Sequence, residues 1–224
     1  MTVDDLIDSF RVDADDKARS IGGGQSDLLW SDEDVARWLT EGEEEAAIRK
    51  RLLPDEITVP ITAPVRTYDF TALFEITRAE LVPTAGESIV LKIVSREAMD
   101  RIDPGWRRCA YAPVHLIQDD TRIVLAGAIS QDYTLHLEGL RLPKEALSVD
   151  DSTGSPEIAP VHHRFLVHWA LHRAYGKQDA DTFDPDRSAL ALARFEQYFG
   201  LRPDADLRKD ARADVVHHNL AWLA

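Results

Sequence analysis

The sequence predicts an α+β fold, in which a helical bundle built from the N- and C-terminal helices carries an inserted antiparallel β-sandwich or partial barrel. Apolar residues recur at helical spacing near both ends of the chain, whereas the middle contains short β-branched runs separated by Pro, Gly or Thr. The 224 residues are 44% hydrophobic, which is enough to bury a core. We therefore expect a helical body from residues 1–56 and 157–202, a β module from residues 57–156, and an extended C-terminal arm from residues 203–224.

Two helices are predicted in the N-terminal quarter. The apolar face of the first consists of Val3, Leu6, Ile7 and Phe10. The second is expected to begin after Ser31, a residue type that caps helix N-termini, and to end at Pro54. Its solvent-exposed side is expected to hold Glu41, Glu43, Glu44 and Glu45.

Seven short runs in the middle of the chain are predicted as strands, with one helix at Ser95–Arg101 between the fourth and fifth. The runs are Ile57–Ile61, Val65–Phe70, Leu73–Arg78, Ile89–Val94, Val114–Ile117, Arg122–Ala126 and Tyr133–Leu142. The last run alternates apolar and polar residues until Gly139, where we expect the register to be disturbed. A half-buried antiparallel sheet follows from this pattern.

An α-hairpin is predicted over residues 157–200. Its first helix carries Val161, Phe165, Leu166, Trp169, Leu171 and Tyr175 near helical spacing. The apolar band of the second helix is expected to consist of Leu190, Leu192, Phe195, Tyr198 and Phe199. The hairpin is expected to organise the helical body.

The formal net charge of −14 argues against a surface built for nonspecific binding to phosphates. The excess is uneven, since residues 1–56 contain 7 basic and 16 acidic residues, a net of −9, whereas residues 157–224 contain 9 and 10, a net of −1. Repulsion would let nucleic acid pass without sticking. No apolar run approaches the roughly 18 residues of a membrane span, and no signal peptide is recognisable, so we expect no membrane partner and a cytoplasmic site of assembly.

Enzymatic motifs are absent from the sequence. The chain has no Gly-x-Ser-x-Gly elbow and no Gly-x-Gly-x-x-Gly, and the glycines at 22–24 lack the lysine of a phosphate-binding loop. His168 and His172 are four residues apart on one helical face and could begin a zinc site. However, Trp169 stands where a catalytic zinc helix carries Glu, and Cys109 is the single cysteine. We therefore predict no metal and no cofactor.

The C-terminal tail is the first candidate for partner binding. It has no continuous periodicity, yet it retains apolar residues that are unfavourable in water unless they dock. These are Leu207, Val215, Val216, Leu220, Trp222 and Leu223. Trp106, at the end of the turn Asp103-Pro-Gly-Trp, is the second candidate and either caps the β module or contacts another subunit.

Three groups of residues occur in an order that is typical of one family. They are Leu29-Trp-Ser-Asp-Glu-Asp-Val, the segment Arg96–Trp106, and a C-terminal set of Pro156-Glu-Ile, His163, Leu166–Asp184, Phe195 and Phe199. Over most of its length the chain thereby resembles the head-to-tail adaptor (connector) proteins of tailed bacteriophages. It departs from their pattern at the glycines before Trp30 and at Thr40-Glu41-Gly42.

The resemblance implies a non-enzymatic structural protein of the virion that forms a dodecameric ring between portal and tail. The implied partners are the portal protein, which the C-terminal arm reaches, tail or nozzle proteins, and further copies of the chain. Genomic DNA would pass through the ring without specific binding. Two alternatives stay open: a metal-binding, hydrolase-like module using His168 and His172, and another accessory or baseplate structural protein of a phage.

Overall fold

A computed structural model of the protein describes residues 1–16, 28–151, 153–178 and 182–203. The chain divides into two compact units. The helical body comprises Met1–Leu53 and Leu142–Arg202, and the β unit comprises Pro54–Arg141. The glycine-rich segment at 21–26, which we predicted as a loop, lies outside the described residues.

The described residues form five α-helices: α1 (Val3–Ala14), α2 (Asp32–Lys50), α3 (Arg96–Ile102), α4 (Pro160–Gly176) and α5 (Pro185–Phe199). The predicted cap of α2 is confirmed, because the Ser31 side chain accepts a hydrogen bond from the backbone N–H of Asp34. Ser95 caps α3 in the same way. Both α4 and α5 have proline in their first turn. Proline is tolerated there because backbone N–H groups in the first turn make no hydrogen bond within the helix.

The core of the helical body lies where α4 packs against α1, α2 and α5. Phe10 of α1 meets Trp30 edge to face, with ring centroids 5.6 Å apart, and Trp30 meets Tyr175 of α4 at the same distance. Leu39 and Phe195 are fully buried in the same cluster. The predicted hairpin is therefore present as α4 and α5.

Three predictions about individual positions in the helices were wrong. Glu43 is buried on α2, because its carboxylate accepts a hydrogen bond from the backbone N–H of Ile158 at 3.1 Å. Leu190 is 54% exposed, since the buried face of α5 contains Ala191 together with Phe195 and Phe199, of which the last two were predicted. Val161 is exposed in the first turn of α4.

The β unit contains seven strands in one sheet. They are β1 (Pro54–Ile61), β2 (Thr67–Asp69), β3 (Glu75–Pro83), β4 (Ile89–Val94), β5 (His115–Gln118), β6 (Arg122–Ala126) and β7 (Tyr133–Leu140), in the order β1-β7-β3-β4-β5-β6-β2. The sheet curls into a half-barrel, which confirms the predicted α+β class and partial barrel. One pairing differs from the expected antiparallel pattern: β4 and β5 are parallel, because the connection through α3 returns the chain to the same end of the sheet.

The register shifts near Gly139, as predicted. β3 carries an irregularity between Ile76 and Arg78, opposite Gly139 of β7. A Cβ atom at Gly139 would lie 2.3 Å from the carbonyl oxygen of Glu75, so only glycine fits there. Within the described residues, no helix combines the length and apolar character needed to cross a membrane.

Candidate interaction surfaces

The predicted partner-binding residues of the tail, from Leu207 to Leu223, lie outside the described residues. Trp106 is described and is 3% exposed. Its indole packs among Met99, Ile117 and Val124, and its Nε1 donates a hydrogen bond to Asp100 Oδ1 at 2.7 Å. The indole is therefore part of the core of the β unit, and partner binding by Trp106 stays a prediction.

The surface beside Trp106 is a basic turn with exposed apolar side chains, which we call the arginine corner (residues 101–111). The guanidinium of Arg107 donates to Asp100 at 2.5 and 3.1 Å and, together with the Trp106 indole, holds the pKa of the Asp100 carboxyl below its usual range. Ile102 is 56% exposed and Tyr111 is 43% exposed. Exposed apolar residues beside arginine are typical of protein interfaces.

Backbone contacts hold the arginine corner in place. Arg66 donates to the carbonyl oxygens of Arg107 at 3.3 Å and Cys109 at 3.0 Å. The Tyr111 hydroxyl donates to Asp103, and this hydrogen bond raises the pKa of Tyr111. The corner is thus anchored from both the neighbouring loop and its own turn.

The end of the helical body, from which the C-terminal arm begins, is held by Arg49 of α2. Its guanidinium forms ion pairs with Glu45 at 3.1 Å and Glu196 at 3.3 Å, and donates to the Gly200 carbonyl at 3.0 Å. It also lies over the Phe195 ring, 5.2 Å from the centroid. We call this cluster the arm root. Arg49 could not be recognised from the sequence, because a basic residue in the last turn of a helix is explained by the helix dipole alone.

A groove with an acidic rim runs along α2, which we call the acidic groove. Its apolar lining includes Ala36, Leu147 and Val149, and its rim includes Glu33, Glu41, Glu44 and Asp150. Arg37 also lines the groove, where it pairs with Asp34 at 2.6 Å. The backbone N–H of Leu147 donates to Thr40 Oγ1 at 3.0 Å and fixes the segment after the β unit against α2. Burial, with smaller effects of Glu41 and Glu45, raises the pKa of Glu44.

The histidines considered as metal ligands have other surroundings. His172 Nδ1 lies 2.9 Å from Ser188 Oγ and 3.1 Å from the Ser188 carbonyl oxygen. His168 packs against Phe165, and burial lowers its pKa. In the part of the chain that the structure describes, no three His, Cys, Asp or Glu side chains are grouped as metal ligands. Nothing in this geometry favours the hydrolase-like alternative.

Comparison with known proteins gives a family match that covers almost the whole chain. The family model described as SU10 adaptor protein matches residues 1–217. Two solved structures are also similar. A chain in the neck of an empty GTA particle has 16% identity and a TM-score of 0.28, and the match covers 89% of this chain and 91% of that one. A chain in the virion of a native gene transfer agent particle has 15% identity and a TM-score of 0.30, and the match covers 92% of both chains. No curated protein matches significantly. Because the family model spans residues 1–217, the chain belongs to the SU10 adaptor protein family and is a structural head-to-tail adaptor of the phage particle.

Proposed function

We propose that copies of this chain form a ring between the portal and the tail of a phage particle and line the conduit for DNA. The observation that carries the proposal is the family match over residues 1–217. A dodecameric ring is the stoichiometry implied by the resemblance of the sequence motifs to phage connectors. The role is structural, so the chain is proposed to need neither cofactor nor catalytic residues.

The charge of the chain supports a conduit that does not retain DNA. A net charge of −14 repels the phosphate backbone, whereas a DNA-binding surface would neutralise phosphates with Lys and Arg. The acidic residues are concentrated in residues 1–56. Weak interaction with the genome favours its passage during ejection.

The arm, residues 203–224, is proposed to dock on the portal. The described structure supports this role by showing how the preceding residues are held: Arg49 binds the Gly200 carbonyl, and Arg202 forms an ion pair with Glu45 at 3.1 Å. Leu201, between these two anchors, is 74% exposed. A fixed root restricts the starting direction of the arm, which lowers the entropy lost on docking.

Deletion of residues 203–224 tests the role of the arm. We expect the truncated chain to keep its helical circular dichroism and thermal midpoint but to lose binding to purified portal rings. A full-length control with Leu220, Trp222 and Leu223 replaced by Ser separates apolar docking from chain length, and it should also lose binding. Undiminished portal binding by the truncated chain would refute docking through the arm.

A further inference from the structure

We propose that the arginine corner of one copy docks into the acidic groove of the next copy, and that this contact joins neighbours in the ring. The inference rests on the proposed function, because it supplies the subunit contact that a ring needs. It assigns a partner to two surfaces that the helical and β cores leave exposed.

The arginine corner has unpaired positive charge and exposed apolar area together. Arg101 and Arg108 form no ion pair with the described residues, whereas Arg107 pairs with Asp100. Ile102 and Tyr111, in the same segment, are both exposed. Aromatic and arginine side chains are enriched in protein interfaces, and a charged partner of opposite sign is the one that this surface fits.

The corner is also rigid before it binds. Two hydrogen bonds from Arg66 fix the backbone at Arg107 and Cys109, and the buried Trp106 indole fixes the turn from the inside. A surface that is ordered in advance loses little conformational entropy on association.

The acidic groove has the complementary composition. Ala36, Leu147 and Val149 provide apolar lining, and Glu33, Glu44 and Asp150 on the rim form no ion pair with the described residues. Glu44 is disfavoured in its charged form by burial and by Glu41 and Glu45. An arginine from another copy would relieve this repulsion and cover the apolar lining at the same time.

Ring symmetry favours this pairing over contact between two identical surfaces. Subunits of a cyclic ring with more than two members meet through two different patches, so that each copy offers one patch to each neighbour. Contact between two corners or between two grooves would place like charges together, which is unfavourable. The corner belongs to the β unit and the groove to the helical body, so every copy carries one of each.

A photocrosslink at Ile102 tests the contact in particles that contain the full-length chain. Ile102 is replaced by a photoreactive phenylalanine in a mixture of isotope-labelled and unlabelled copies, and Val90, also exposed in the β unit, is the control position. We expect mixed-isotope adducts between position 102 and the tryptic peptides 20–37, 38–49 or 145–164, which together contain the groove. Adducts only with other peptides, or none between copies, would overturn the proposal.

Charge exchange provides the second test and avoids paired residues. The variants Arg101→Glu/Arg108→Glu and Glu33→Arg/Glu44→Arg should each lower the yield of rings on the portal at least about tenfold, because like charges then meet across the contact. Mixing the two variants in equal amounts should restore rings, since each variant surface then finds an opposite charge. If mixing does not restore them, or if neither variant changes the yield, the proposed contact is wrong. If the wild-type chain forms rings on the portal while the variants give either of these results, only the proposed contact is wrong. If the wild-type chain itself forms no rings on the portal, the proposed function is contradicted.

Discussion

Arg49 shows how one side chain can connect the folded body with the segment proposed to bind a partner. Its side chain is nearly buried: Nε donates to Glu45, and Nη1 donates to Glu196 and to the carbonyl of Gly200. The guanidinium also lies over the ring of Phe195. Arginine suits this position because a planar guanidinium can bind several oxygens and stack on an aromatic ring at once, whereas lysine cannot. The arm root is therefore held by charged contacts, which the spacing of apolar residues in the sequence does not show.

Replacement of Arg49 by Met should destabilise the helical body by about 2 to 4 kcal/mol, because in a partly buried site Glu196 loses its ion-pair partner and Glu45 keeps only the exposed Arg202. The matched control is Arg37→Met on the same helix, whose side chain is 62% exposed and pairs with Asp34. That control should lose less than about 1 kcal/mol. Urea unfolding followed by tryptophan fluorescence measures both variants, and equal losses would contradict the role of Arg49.

Glu44 gives a prediction with a defined dependence on pH. Its pKa is raised in the folded protein, so the ionised carboxylate disfavours folding, and stability is lost as the pH rises through the raised pKa. We expect Glu44→Gln to be more stable than the wild type at pH 7. The difference should vanish below about pH 4, where the glutamate is protonated in both states. Thermal midpoints at the two pH values measure it, with Glu87→Gln on an exposed turn as the control; a difference that persists at low pH would exclude this cause.

At the scale of elements, caps and glycines set where helices and strands begin and bend. Ser31 and Ser95 start α2 and α3 through hydrogen bonds to the third residue of each helix. Gly42 lets α2 and α4 approach closely, since a Cβ there would lie 3.0 Å from the Cβ of Trp169. Gly139 has the same role in the sheet, where the backbone of β3 crosses its empty side-chain position.

Substitution of Gly139 by Ala should destabilise the β unit by about 2 kcal/mol or more, because the new Cβ collides with the carbonyl oxygen of Glu75 and backbone must move. Gly105→Ala is the matched control in the same unit. There a Cβ would lie 3.3 Å from a carboxylate oxygen of Asp103, at a φ of −90° that alanine adopts. Unfolding midpoints from circular dichroism compare the two variants. Similar midpoints would show that the close approach of the Glu75 carbonyl to Gly139 does not determine the stability of the β unit.

At the scale of the whole molecule, the β unit is an insertion whose ends lie side by side. Pro54 at the start of β1 pairs with Leu140 at the end of β7. Partners in an antiparallel pair have Cα atoms about 5 Å apart, so the insertion closes on itself. The chain enters and leaves this unit at one place.

A short Gly/Ser linker in place of residues 54–141 should therefore leave the helical body folded, since the linker has only a short gap to span. Helical circular dichroism and a cooperative thermal transition would measure this. A deletion of residues 62–141 that keeps β1 is the contrast. It should aggregate, because β1 loses its partner β7 and exposes an unpaired edge. Loss of the helical signal in the linker variant would show that the body depends on the insertion.

Most of the fold could be predicted from the sequence, because strands and helices follow local periodicity. The cap at Ser31 and the helix after Ser95 depend on neighbouring residues, and the register change is marked by a glycine inside an alternating strand pattern, Gly139. The burial of Glu43 and the cluster around Arg49 could not be predicted, since their partners Ile158 and Glu196 are more than a hundred residues away. The parallel pairing of β4 and β5 likewise depends on tertiary structure, and local pattern does not encode it.

Imaging an assembled particle at residue resolution tests the central claim most directly. We predict a ring of this chain between portal and tail, with residues 203–224 of each copy in contact with the portal. The arginine corner, residues 101–111, should face the acidic groove of the neighbouring copy. A chain located elsewhere in the particle, or arms that contact only the tail, would contradict the account.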